Sequence, residues 1–79
     1  MSESIKVIWD FYGPLAQRTA EHHRVHVDEF ASREQLGNRL TGAEAFAEDH
    51  WITWLVVEPA DVAAVRAALR PNRAVPVSA

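Results

Sequence analysis

The sequence predicts a small α+β domain in which an antiparallel sheet carries two helices on one face. Three observations predict it. Residues 5–11 and 51–57 have the composition and patterning of strands. Two other stretches, opened by Pro14 and Pro59, repeat their apolar residues at helical spacing. A chain of 79 residues makes one domain, residues 1–79, because domains usually span ~50–200 residues.

Each element has its own reason. In the first strand Ile5, Val7, Trp9 and Phe11 point one way, and Lys6, Ile8, Asp10 and Tyr12 the other. Gly13-Pro14 then opens a helix, since proline suits the first helical position. That helix is expected over residues 14–35, with Gly37 as a cap just beyond its end. At ~100° per residue, Leu15, Ala16, Thr19, Ala20, His23, Val27 and Phe30 share its buried face. Residues 36–42, with two glycines and an asparagine, read as a polar loop. Residues 43–47 read as a weak strand, because alanine and glutamate are poor strand formers, and Glu48-Asp49 as a hairpin turn. Residues 50–58 are the strongest strand signal, and their near-continuous apolar run implies that both faces are covered. Pro59 starts a second helix, with Asp61 in the first turn where a negative charge suits the helix dipole. Val62, Val65, Ala68 and Leu69 form its buried stripe, and Pro71 ends it. Arg73 to Val77 is expected to return as a short edge strand, the place where a proline such as Pro76 is tolerated.

The order is therefore β-α-β-β-α(-β). Run as a split βαβ unit, it is the ferredoxin-like arrangement, and right-handed crossovers place both helices on one face of the sheet. The other face is then bare, and must carry Trp9 or Ile8 and Trp51 or Trp54. Three tryptophans in so short a chain are too much apolar area to leave wet, and a core this small leaves little margin of stability. A second copy of the chain is the expected cover. In element order and length the chain resembles the small dimeric α/β-barrel proteins, in which two such sheets pack face to face. The resemblance implies a homodimer; that superfamily includes monooxygenases and stress-response proteins. The run Gly13-Pro14-x-Ala16-x-x-Thr19-Ala20-x-His22-His23-x-x-His26 is also similar to a pattern in small uncharacterised bacterial proteins, which implies no particular activity.

Composition narrows the function classes. A net charge of −3 argues against a nucleic-acid surface, which normally shows a basic patch. With no cysteine, disulfides, thiolate metal sites and thiol nucleophiles are excluded. The first residues hold no apolar signal core. The longest apolar run falls far short of the ~20 residues a membrane helix needs. The simplest expectation is a cytoplasmic protein with neither nucleic-acid nor membrane partners.

The chemistry concentrates in one place. Three of the four histidines, His22, His23 and His26, fall within five residues of the first helix. His23 lies at the centre of the apolar face, where an unpaired ring would cost about 1–3 kcal/mol. Three readings stand open. His22 and His26, spaced i and i+4, can share a cation. Imidazole suits a divalent transition metal such as Zn, Ni or Cu, with Asp10, His50, Glu29 or a subunit mate as third ligand. The zincin pattern HExxH is absent, because position 23 is His. Alternatively His23 acts as an acid–base group oriented by Asp10, in a small-molecule pocket between helix and sheet lined by His23, His26, Thr19 and Tyr12. In the third reading the histidines are structural, with His23 satisfied by Asp10, Tyr12 or a strand carbonyl.

The function expected from these features is a small homodimeric binding protein with a histidine-lined pocket for a small ligand or divalent metal. The alternatives are an interaction module without chemistry, or a small cofactor-free enzyme built on a His23/Asp10 pair. The remaining features are blander. Trp51 and Trp54 fall on opposite strand faces and cannot stack on one ligand. Arg66, Arg70 and Arg73 could hold an anion.

Overall fold

The computed structural model describes residues 4–36 and 40–77. Strand β1 (Ser4–Tyr12) leads into helix α1 (Ala16–Arg33), then come the hairpin strands β2 (Leu40–Ala47) and β3 (His50–Val57). A 3-10 turn at Pro59–Asp61, helix α2 (Val62–Leu69) and strand β4 (Arg73–Val77) complete the order. The four strands form one antiparallel sheet in the order β2-β3-β1-β4.

The ferredoxin-like β-α-β-β-α(-β) expectation is corrected by this arrangement. The elements run β-α-β-β-η-α-β, η being the 3-10 turn, and the fold is described by its own strand order, β2-β3-β1-β4. Local hydrogen bonds supply the reasons. Asp61 N–H bonds the Glu58 carbonyl at 2.9 Å, a three-residue closure that makes the chain after Pro59 enter α2 through a tighter turn. Asn72 N–H bonds the Ile8 carbonyl at 2.9 Å, and the Asn72 side chain accepts Asp10 N–H at 2.8 Å. These bonds carry the β1 ladder past Arg73 and make β4 a full strand, paired from Ser4–Val77 to Ile8–Arg73.

Three element boundaries also differ from expectation. Helix α1 begins at Ala16, not Pro14, because Gly13, at φ +98°, turns the chain so that its carbonyl accepts Ala16 N–H at 3.1 Å. The helix ends at Arg33 in a Schellman closure: Leu36 N–H bonds Ala31 and Gln35 N–H bonds Ser32. The left-handed position is Gln35, at φ 55°; the expected cap, Gly37, lies outside the described residues. Strand β2 begins at Leu40, inside the stretch read as loop. There the Thr41 hydroxyl donates to the Trp54 carbonyl at 2.6 Å. A Cβ on Gly42 would lie 2.7 Å from the Trp54 ring, so only glycine lets the indole settle over β2.

The core sits on one face of the sheet. Val7 and Trp9 of β1, Leu55 and Val57 of β3, Val27, Phe30 and Ala31 of α1, Val65 of α2, and Leu36 just after α1 form one buried cluster. Two polar ties fasten it. The fully buried Thr53 hydroxyl donates to the Ala20 carbonyl at 2.6 Å, and the Trp9 indole N–H donates to Leu69 at 2.8 Å. The buried stripe of α1 is Ala16, Ala20, Val27, Phe30 and Ala31. It is rotated from the expected one: Leu15 is 65% exposed and Thr19 is exposed too. No described helix is long and apolar enough to cross a membrane.

Candidate functional site

Among the described residues, no helix lies on the opposite sheet face. Antiparallel register sets its side chains in rows: Leu40, Val56, Lys6 and Val75; then Gly42, Trp54, Ile8 and Arg73; then Glu44, Ile52 and Asp10. The last row pairs His50 with Tyr12. A bulge between Ala45 and Ala47 turns Phe46 onto the same face, where its ring meets His50.

Asp10 is the hub. Its side chain is 10% exposed, and His50 Nε2 lies 2.7 Å from Oδ1. Arg73 reaches over from β4 and donates Nη2–H to Oδ1 at 3.0 Å and Nε–H to Oδ2 at 3.1 Å, the two-pronged geometry that guanidinium and carboxylate share. Burial pushes the Asp10 carboxyl up, but the hydrogen bonds and charges of Arg73 and His50 outweigh it and hold the group below the usual carboxylate range. An ionised carboxylate only accepts, so a neutral His50 ring carries its proton on Nε2, toward Asp10, and its lone pair on Nδ1. Tyr12 stacks on the His50 ring at 4.3 Å and 24°, and Phe46 leans on it at 4.8 Å and 57°. The Arg73 guanidinium lies 5.1 Å from the Phe46 ring centre. In the neighbouring row Trp54 donates its indole N–H to Glu44 at 3.0 Å, with the Lys6 ammonium 4.9 Å from its ring.

The residues singled out from sequence do not converge. His23 faces the core side, edge-on to Trp9 at 4.9 Å and Phe11 at 5.6 Å. Its Nε2 is buried with no partner. Burial holds its pKa below the ordinary range, and the nearby charges of His26 and His22 add to the shift. Asp10 cannot orient it, because strand alternation puts Asp10 on the far face, engaged with His50 and Arg73. Tyr12 is also on that far face, 72% exposed. Thr19 and His26 lie on the exposed surface of α1, so the expected pocket between helix and sheet is not lined by these four residues. His22 and His26 do meet, Nε2 to Nε2 at 3.0 Å with rings at 79°. Among the described residues, no three metal-ligating side chains come together. Asp10 and His50 are across the sheet from this pair, and of the proposed third ligands only Glu29 is close, 3.7 Å from His26 Nδ1.

The sequence pairs Asp10 and Tyr12 with His23, whereas the structure sets both against His50. His50 entered only as a spare metal ligand, Arg73 only as an anion holder, and Phe46 not at all. The usable signal was register. Once residues 5–12 pair with 50–57, Tyr12 opposes His50, and Asp10 becomes its diagonal neighbour on the same face. Elsewhere, Arg66 and Arg73 line a cavity of about 290 Å³ with Val62, Pro71, Asn72 and Ala74, but Arg73 is already committed to Asp10. Comparison with protein-family models, curated proteins and solved structures finds no match.

Proposed function

We propose that this chain is a small homodimeric binding protein. Two copies apply their helix-free sheet faces to each other, as in the dimeric α/β-barrel proteins that the sequence resembles. The Asp10–His50 end of the interface receives a small ligand. One observation carries this reading. Among the described residues, four of the six exposed large hydrophobics lie on this face: Tyr12 at 72%, Leu40 at 64%, Phe46 at 57% and Val75 at 38%. Exposed apolar side chains gathered on one uncovered sheet face mark a place where something docks, and polar groups are interleaved with them. The polar groups are Lys6, Asp10, Glu44, His50 and Arg73, and three of them are already tied to one another.

The site chemistry follows from the His50 tautomer. Asp10 fixes the ring, on which Tyr12 and Phe46 pack, and in the neutral ring leaves Nδ1 as an acceptor. The fitting ligand is a small, partly apolar molecule that offers one hydrogen-bond donor. Phenol and benzoate are useful probes because both are aromatic and only phenol donates at neutral pH. Histidine ring-nitrogen NMR should show phenol moving the His50 Nδ1 resonance and benzoate leaving it in place. No response at His50, or an equal response at His22 and His26, would count against the site.

A further inference from the structure

We propose that α1 carries a site for a tetragonal divalent metal ion, Cu(II) or Ni(II), held by His22 and His26 through Nε2 and positioned by Glu29. The site is independent of the sheet face, since its residues point outward from the helix surface. It needs an unbroken helix to put residues four apart over one another, and α1 runs through both histidines from Ala16 to Arg33.

The affinity order of the divalent metals selects the ion. Imidazole nitrogens bind such ions at ~2.0–2.1 Å. Two of them are then about 3.3 Å apart on a tetrahedral ion, and about 2.9 Å apart at neighbouring corners of a square one. The two Nε2 atoms stand 3.0 Å apart in the metal-free pair, a hydrogen-bond distance, and a small turn of the rings reaches either spacing. Copper(II) binds most tightly in the general order for divalent metals.

Glu29 supplies the orientation. Its carboxylate lies 3.7 Å from His26 Nδ1. That is beyond hydrogen-bond length, but the negative charge favours the proton on that nitrogen and so leaves the His26 Nε2 lone pair facing His22. In the metal-free pair, His22 Nε2–H then donates to His26 Nε2. Metal binding requires His22 to move its proton from Nε2 to Nδ1, with no net proton release at a pH where both rings are neutral. The side chains of His26 and Glu29 are 55% and 68% exposed, so water completes the coordination sphere.

Calorimetric titration of the full chain with CuCl2, NiCl2 and ZnCl2 at pH 7.5 tests this. One Cu(II) per chain is expected, with Cu(II) tighter than both Ni(II) and Zn(II). His22→Ala and His26→Ala should each weaken Cu(II) binding at least tenfold. Glu29→Gln should weaken it severalfold, and Gln17→Ala on the same helix should leave it unchanged. Helical circular dichroism of each variant separates loss of a ligand from loss of the helix. Binding that survives either histidine substitution in a folded variant, Zn(II) binding tighter than Cu(II), or no binding by the wild type would overturn the proposal. Loss of binding on Gln17→Ala would do the same.

Discussion

His50 reaches Asp10 at 2.7 Å across the β1–β3 pairing, from 40 residues further along the chain. Arg73 closes on the same carboxylate from β4. One side chain therefore staples three strands on the sheet face that no helix covers. Charge-assisted bonds of this kind are worth more than neutral ones, and a carboxylate that is 10% exposed has little water to fall back on.

Asp10→Asn should destabilise the chain by about 1–3 kcal/mol, because the amide keeps the shape and loses the charge that His50 and Arg73 meet. The acid limb should change with it. The folded pKa of Asp10 is lowered, so between that value and the unfolded ~3.9 the unfolded chain binds the extra proton. Stability from Asp10 is thus fully present above ~4 and is lost as pH falls through the folded pKa. Urea melts from pH 6 down to pH 2 should show a shallower loss in Asp10→Asn. Parallel curves for the two proteins would mean that the carboxylate is not held by its partners.

His23 makes an opposite kind of prediction. Its buried Nε2 has no partner, so the ring contributes packing against Trp9 and Phe11 and carries a polar atom at a cost. His23→Ala should destabilise by about 1–3 kcal/mol through lost contacts. His23→Leu should be within about 1 kcal/mol of wild type or more stable, since an unsatisfied atom is replaced by an apolar one. A leucine variant as damaged as the alanine one in urea melts would point to a hydrogen-bonding role for this ring.

Gly42 tests how the helix-free face is built. A methyl group there would stand 2.7 Å from the Trp54 ring, and the indole would have to leave Glu44 and Lys6. Gly42→Ala should cost about 1–3 kcal/mol as an overpacking change and shift the tryptophan fluorescence. Unchanged fluorescence and stability would place Trp54 away from β2.

The elements were legible where composition is one-sided. The run from Trp51 to Val57 reads as a strand under any register, and Pro14 and Pro59 mark helix entries to within two or three residues. The start of β2 was hidden because Thr41 and Gly42 look like loop residues. Their role is to fit Trp54, twelve or more positions away. The histidine cluster on α1 was equally visible, yet visibility misled. A helical wheel places His23 facing the sheet, but says nothing of which sheet side chains lie beneath it. Those are Trp9 and Phe11, with no polar atom to offer His23 Nε2. The Asp10–His50–Arg73 cluster depends on three strands meeting, and such register is a tertiary fact.

The proposed homodimer rests on Tyr12, Leu40, Phe46 and Val75 sharing a face, and its most direct test is sedimentation equilibrium across ~1–100 μM protein. A face-to-face pair should bury at least ~1,200 Å² in total, the lower end for stable interfaces. The wild type should then sediment at about twice the 8.9 kDa chain mass, and Phe46→Glu and Val75→Glu, which put charges into the apolar contact, should sediment as folded monomers. A wild type that stays at 8.9 kDa throughout, or a dimer indifferent to both substitutions, would contradict the account.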